Sequence, residues 1–184
     1  MERVDYFRII HKYIPPDSLT YPLYIIHCQL VANKALQIAE RLRLGKASKR
    51  FIEEAAMLHD IGIVHTNTPD LYCTGDLPYI CHVVEGRKLL EAEGLPRHAR
   101  VAESHIGVGL TVDDILSQGL PLPPQAIFPE TIEEQIISFA DFFYSKDADK
   151  LWKEKPLAKI RKSVAKRGKE KAAILEDWID RFSI

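Results

Sequence analysis

The sequence contains no long hydrophobic run and few of the residues that mark membrane or secreted proteins. No stretch reaches the roughly 18 consecutive apolar residues that a membrane-spanning helix needs. The segment from Met1 to Asp5 lacks the basic-then-apolar order of a secretory signal. The cysteines Cys28, Cys73 and Cys81 are an odd number without a CxxC pair, so neither a disulfide framework nor a zinc knuckle is indicated. We interpret them as core or incidental thiols. We therefore expect a cytoplasmic protein without a membrane partner.

Several common catalytic motifs are also missing. The sequence has no glycine-rich phosphate loop, no GxSxG elbow and no paired carboxylates of the glycosidase type. With 184 residues, 46% of them hydrophobic, the chain is long enough to bury one sizeable core. We predict a single domain over residues 1–184, with a core region at about 21–145 and a helical C-terminal extension at 146–184.

Apolar residues recur every three or four positions along almost the whole chain, which is typical of amphipathic helices, and strand signals are nearly absent. The pattern therefore predicts an all-α helical bundle. Prolines, glycines and capping residues set the expected limits. These predict helices over 4–13, 22 to about 45, 48–60, 76–93, 96–105, 112–117 and 131–144, and one or two helices over 156–182. An irregular loop is expected over 64–75 and a proline-rich, non-helical connection over 119–129. Ser48 and Thr131 are the expected N-caps, the latter in a capping box with Glu134.

The formal net charge of −1 conceals a strongly basic segment between Lys146 and Lys171. Eleven lysines and arginines in this segment face four acidic residues, so it carries +7. Charged residues at helical spacing usually form a solvated helix face, and no aromatic residues alternate with the charges as in single-strand-binding proteins. We therefore predict a solvent-facing surface, and we do not expect a nucleic acid as partner.

Four histidines and two aspartates stand near predicted helix ends or on inward helical faces: His27, His59, Asp60, His82, His105 and Asp141. Burying so many imidazoles and carboxylates in a small core costs several kcal/mol per unpaired group, unless each is hydrogen-bonded or bound to a cation. A mixed set of imidazole and carboxylate ligands suits Mn, Fe, Ni, Co or Zn. Helices that face one another in a bundle are able to deliver such ligands.

The run from Met57 to Gly62, which reads Met-Leu-His-Asp-Ile-Gly, resembles the HDIG signature of HD-superfamily metal-dependent phosphohydrolases. The order of the upstream His27, the downstream His82 and His105 and the late Asp141 is similar to the family pattern. The resemblance covers about residues 21–145 and is strongest with small prokaryotic HDIG-domain proteins. It implies an all-α HD-domain fold.

The resemblance also implies a ligand arrangement. One metal would be held by His27, His59, Asp60 and Asp141, while Asp60 would bridge to a second metal bound by His82 and His105. The implied cofactors are two divalent transition metals (Fe, Mn, Ni or Co, with Zn or Mg as further options), and His59 and Asp60 are the implied catalytic centre. The implied reaction is hydrolysis of a phosphate ester, such as that of a nucleotide or a related small metabolite, by a metal-activated water.

One departure from the pattern concerns the phosphate contact. Many phosphohydrolases of this family carry Lys or Arg just after the signature, where this sequence has Ile63 and Val64. We therefore consider His65 and Arg87 as substrate-binding residues instead. The departure leaves two alternatives open: a mixed-valent diiron oxygenase, since such enzymes use a similar set of four histidines and two aspartates on this fold, and a metal-dependent ligand-binding or regulatory module.

Overall fold

The protein is described here by a computed structural model over residues 3–182, and that part of the chain is built almost entirely from helices. The predicted all-α fold is confirmed. The α-helices are α1 (Tyr6–Tyr13), α2 (Thr20–Arg41), α3 (Lys46–Leu58), α4 (His82–Ala92), α5 (Pro96–Ser104), α6 (Val112–Ser117), α7 (Ile132–Asp141), α8 (Leu157–Ala165) and α9 (Lys169–Phe182).

The central helices meet through their apolar faces. α2 lies against α3 and α7, and α4 lies against α5. Val31, Ile52 and Leu58 are fully buried between these helices, and each such side chain contributes about 1.5–3 kcal/mol by leaving water. Cys28, Cys73 and Cys81 are also buried and unpaired, as expected of core thiols. Within residues 3–182, no helix has both the length and the apolarity that crossing a membrane requires.

The C-terminal helices pack back onto this core. Trp178 and Phe182 of α9 make edge-to-face contacts with Phe139 of α7, with ring centroids 6.3 and 5.3 Å apart. Ile160 and Val164 bury the inner side of α8. The extension therefore contains two amphipathic helices, α8 and α9, that pack against the core. That residues 1–184 form one single domain stays a prediction.

Several predicted helix boundaries, and one predicted cap, differ from the structure. α3 begins at Lys46 rather than at Ser48, because Gly45 adopts the extended conformation that precedes a helix. α7 ends at Asp141 rather than near residue 144. The Thr131 hydroxyl caps α7 by accepting a hydrogen bond from the Glu134 amide. In the predicted capping box, the Glu134 carboxylate would accept from the Thr131 amide. It accepts instead from the amide of Glu130, one residue earlier, at 2.9 Å.

The segment before α4 is more ordered than the predicted loop. A 3-10 helix over Ile61–His65 leads into a short antiparallel pair of strands, β1 (Asn67–Thr68) and β2 (Cys73–Thr74), which enclose a second 3-10 turn at Pro69–Leu71. A third 3-10 turn at Tyr79–Cys81 precedes α4. The predicted helix from residue 76 therefore begins at His82, and the first turn of α4 holds one of the candidate ligands.

Candidate metal centre

Six polar side chains converge at the point where several helices end, in agreement with the sequence prediction that they lie together. They are His27 in the body of α2, His59 and Asp60 directly after α3, His82 as the first residue of α4, His105 directly after α5, and Asp141 as the last residue of α7. All are buried except Asp141, whose side chain is 23% exposed. The cluster therefore has one open side.

A close backbone contact brings α4 to this point. A Cβ atom on Gly62 would lie 2.1 Å from the carbonyl oxygen of His82 and 2.3 Å from the amide nitrogen of Gly86. Only a glycine allows the turn after Asp60 to approach α4 this closely. The sequence suggested that Gly62 frees the chain to turn, whereas the structure shows that it makes room for the helix that carries His82.

One face of Asp60 belongs to a first group of side chains. Its Oδ2 lies 3.2 Å from His27 Nε2 and 3.2 Å from His59 Nε2. Asp141 Oδ1 completes this group at 3.0 Å from His27 Nε2 and 3.6 Å from His59 Nε2. The ligand atoms of His27, His59 and Asp141 lie within 4.8 Å of one another, close enough to hold one ion.

The other face of Asp60 belongs to a second group. Its Oδ1 lies 3.4 Å from His82 Nε2 and 3.4 Å from His105 Nε2. The two oxygens of one carboxylate thus face two different pairs of histidines. A carboxylate that bridges two ions would need this arrangement, and the division of the ligands between two metals stays a prediction.

The histidine tautomers indicate that a cation is needed here. The Nδ1 atoms of His59, His82 and His105 each lie 2.6–2.8 Å from the backbone carbonyl three residues earlier in the chain. A carbonyl only accepts, so each Nδ1 carries a proton, and Nε2 presents a lone pair when the ring is neutral. Burial lowers the pKa of His82 to about 3, which keeps that ring neutral. Its Nε2 nevertheless lies 3.2 Å from His105 Nε2, so two electron-rich atoms face each other.

Several buried atoms of the cluster also lack hydrogen bonds. Despite their short separations, His27 Nε2, His59 Nε2, both oxygens of Asp60 and Asp141 Oδ1 form no hydrogen bond of acceptable geometry. Each buried polar atom left without a hydrogen bond costs about 1–3 kcal/mol, and more when charged. Ions bound between them would remove that cost, and a mixed nitrogen and oxygen set is what divalent transition metals prefer. The residues therefore fit such metals.

Lys146 is the functional candidate that sequence reasoning missed. It lies in the loop after α7, is only 14% exposed, and places Nζ 2.7 Å from Asp60 Oδ2. Burial opposes its charge, but the Asp60 carboxylate nearby raises the pKa of Lys146 well above its ordinary value. In turn, burial raises the pKa of Asp60, yet the Lys146 and His59 charges hold that pKa well below its usual range. The sequence has no basic residue directly after the signature, and Lys146 instead brings a cation to the site.

Two further side chains fix the ligands in place. The Tyr24 hydroxyl donates to the carbonyl of Met57 at 2.9 Å, which ties α2 to the end of α3. The Ser138 hydroxyl donates to the carbonyl of His105 at 2.9 Å, which ties α7 to the end of α5. Each anchor precedes a ligand on its own helix by three residues, Tyr24 before His27 and Ser138 before Asp141. Such spacing is visible in the sequence, but the partners across helices are not.

The two predicted substrate-binding residues lie away from this opening. His65 is exposed at the end of a 3-10 helix and does not line the cavity beside the cluster. Arg87 forms ion pairs with Glu91 at 2.8 Å and with Glu103 at 2.6 Å, and it does not line that cavity either. The structure therefore does not bring them to the metal ligands, and their roles stay predictions.

A cavity of about 960 Å³ opens on the exposed side of the cluster. His82, His105, Asp141 and Lys146 form its inner end. The prediction that the basic segment faces solvent is wrong in part, because Lys146 contacts Asp60 in the cluster with only 14% of its side chain exposed. Further cations of α8 and its flanks line the same cavity. This space is large enough for a nucleotide-sized molecule.

The chain is similar to parts of several known proteins. Relatives include two proteins named tRNA (cytidine(56)-2'-O)-methyltransferase, from Picrophilus torridus (32% identical over 146 residues) and Thermoplasma volcanium (31% over 166 residues). The matches cover 74% and 90% of this chain but only 38% and 41% of the relatives, so the chain spans about two fifths of their length. An uncharacterized protein of Methanocaldococcus jannaschii is 30% identical over 118 residues, 62% of each chain.

Solved structures share the fold. The HD domain of the L. monocytogenes phosphodiesterase PgpH in complex with cyclic-di-AMP superposes with a TM-score of 0.55 at 16% identity, covering 100% of this chain and 97% of that one. A second crystal structure of the same HD domain superposes with a TM-score of 0.54. The HD domain model matches residues 24–144, which is more than half of the chain and includes all six converging side chains. The chain belongs to the HD domain family.

Proposed function

We propose that this protein hydrolyses a phosphate ester of a nucleotide or a related small metabolite at a centre of two divalent metals. The observation that carries the proposal is the position of Lys146. A cation beside Asp60, at the inner end of a large cavity, is suited to bind a phosphate oxygen next to the metals. It takes the place of the basic residue that Ile63 and Val64 fail to supply after the signature.

The proposed ligands divide into two sets that share Asp60. His27, His59, Asp141 and Asp60 Oδ2 would hold one ion, and His82, His105 and Asp60 Oδ1 the other. Fe, Mn, Ni or Co suit these nitrogen and oxygen donors best, with Zn and Mg as further options. Such ions would supply Lewis acidity and lower the pKa of a water that attacks phosphorus.

The side chains of the protein have separate tasks in this reaction. Lys146 binds and neutralises a phosphate oxygen as the ester enters from the cavity. Asp141, the one partly exposed carboxylate of the cluster, would orient the attacking water at the open side by accepting its hydrogen bond. The carbonyl contacts of His59, His82 and His105 hold each imidazole in the tautomer that presents Nε2 to the centre. Buried apolar helix faces around Asp60 exclude bulk water.

The relatives support the reaction class and leave the ester open. PgpH is named as a phosphodiesterase and its HD domain is described with cyclic-di-AMP, which favours a nucleotide ester as substrate. The relatives named tRNA methyltransferases are much longer than this chain, so their name belongs to a larger protein.

The test is metal exchange followed by assay. Protein stripped of metal is reloaded under anaerobic conditions with Mn, Ni, Co or ferrous iron and given a panel of phosphomonoesters and phosphodiesters of nucleotides. We expect phosphate-ester turnover with more than one metal, because hydrolysis needs no change of oxidation state. Absence of turnover with every metal, together with substrate-dependent oxygen uptake by the iron form alone, would establish the diiron oxygenase instead. Tight ligand binding without turnover or oxygen uptake would establish the regulatory module.

A further inference from the structure

The cavity beside the metal centre has a strongly cationic wall that hydrolysis of a single phosphate does not require. Four residues form this basic wall: Lys155, Lys159, Lys166 and Arg167. They come from α8 and the segments on either side of it, beyond residue 144, where the match to the HD domain model ends. The wall therefore lies outside the part of the chain that the HD domain model matches.

The cations of the wall are not held in ion pairs within the part of the chain that the structure describes. The other cations that line the cavity are paired, Lys146 with Asp60 at 2.7 Å and Lys171 with Asp114 at 2.6 Å. Among residues 3–182, no carboxylate forms an ion pair with any of the four residues of the wall. By contrast, Arg161 on the same helix is paired with Glu176 at 2.7 Å.

The position of Lys155 shows that the wall is continuous with the metal centre. Its Nζ donates to the neutral carbonyl oxygen of Tyr144 at 2.9 Å, so its charge stays unbalanced. Burial lowers the pKa of Lys155, and the nearby positive charges of Lys146 and Lys159 lower it further, against the opposing effect of Asp141. A row of cations thus runs from the Asp60 cluster through Lys155 to Lys159.

Like charges held in a row repel one another, and an anion placed between them relieves that repulsion. The phosphate that reacts at the metal centre already has Lys146 as its partner. A phosphate group farther out would meet the exposed Lys159, Lys166 and Arg167, and the planar guanidinium of Arg167 suits two phosphate oxygens at once.

We propose that the substrate carries at least one phosphate group in addition to the one that reacts, and that the basic wall binds this second phosphate. The inference rests on the proposed phosphate-ester hydrolysis and narrows its substrate class. Two arrangements of the second phosphate are compared: a nucleoside diphosphate, where it is joined directly to the first, and a nucleotide phosphorylated at both the 3′ and 5′ positions of the ribose.

The test compares ligands that differ by one phosphate. Binding of AMP, ADP and adenosine 3′,5′-bisphosphate to the full chain loaded with Mn is measured by isothermal titration calorimetry, and KM replaces the dissociation constant for any ligand that is turned over. At least one of the two bisphosphorylated ligands should bind about tenfold more tightly than AMP, the gain expected from one charge-assisted contact. Which of them gains distinguishes a diphosphate chain from a phosphate across the ribose.

The double variant Lys159→Gln/Arg167→Gln should bind AMP like the wild type but lose most of the tenfold gain. Both side chains are exposed, so the variant should keep the wild-type melting temperature. Lys162→Gln is the matched control, since Lys162 lies on the same helix but does not line the cavity, and it should keep the gain. Equal binding of all three ligands by the wild type, or a gain that survives in the double variant, would overturn the proposal.

The outcome is separate from that of the proposed function. If no ester is hydrolysed with any metal, the proposed activity fails, while the ratio of dissociation constants still decides whether the wall binds a second phosphate. If hydrolysis occurs but the ratio is one, the activity stands and the wall has no such role.

Discussion

Replacing Asp60 should abolish both metal sites, whereas replacing His82 should abolish only one. The structure gives the reason: Asp60 Oδ2 faces His27 and His59, while Oδ1 faces His82 and His105. Asp60→Ala removes an oxygen from both sets of ligands. His82→Ala removes one ligand from the second set and leaves the first set complete.

The size of the effect follows from linkage between binding and folding. A metal present at 100 times its dissociation constant stabilises the folded state by about 2.7 kcal/mol per site. One kcal/mol raises the melting temperature of a chain of this length by about 2–4 °C. Two filled sites should therefore raise the melting temperature of the metal-free wild type by about 10–20 °C. The increase should fall to about half in His82→Ala and to almost none in Asp60→Ala.

The assay is thermal unfolding of each protein before and after metal addition, with the bound metal counted by elemental analysis. Each variant is compared with its own metal-free form, so any loss of intrinsic stability cancels. Asp70→Ala, which removes an exposed carboxylate outside the cluster, serves as control and should behave like the wild type. Two metals retained by Asp60→Ala, or a complete loss in His82→Ala, would refute the shared role of Asp60.

Three further perturbations test the surroundings of the site. Lys146→Gln removes the ammonium 2.7 Å from Asp60 Oδ2, so metal affinity should rise about tenfold or more while kcat/KM for phosphate esters falls; weaker metal binding in titrations would contradict this. Gly62→Ala forces a Cβ into backbone atoms 2.1 Å away and should cost about 3 kcal/mol or more in denaturant unfolding, whereas a wild-type midpoint would show that α4 moves freely. Burial raises the pKa of Asp114, but Lys171 and hydrogen bonds from Thr111 lower it to about 2. That carboxylate contributes about 1 kcal/mol to the free energy of unfolding after solvent screening. The contribution is present above the unfolded pKa of Asp114 and is lost as pH falls through about 2. Asp114→Asn should therefore destabilise the protein at pH 7 and match the wild type in acid.

The sequence by itself was sufficient to predict the fold class and to select the converging side chains. Apolar periodicity and proline or glycine punctuation depend on neighbours within a few residues, so they are readable without coordinates. The motif around His59 and Asp60 resembles a known family, and the order of ligands in that family pointed to the other four residues. The errors at helix ends, such as the start of α3 at Lys46, arose because capping preferences differ by less than 1 kcal/mol between adjacent candidates.

The tertiary structure alone decided how those side chains meet. Which oxygen of Asp60 faces which histidines depends on the approach of α4 at Gly62, a contact between backbone atoms that residue type does not reveal. The phosphate contact expected beside the signature comes instead from Lys146, far along the chain. The basic segment around Lys159, which has the composition of a solvated helix face, becomes a cavity wall because Ile160 and Val164 dock α8 against the core. Charge and spacing specify that a helix has a basic side, but only its packing determines whether that side faces bulk water or a site.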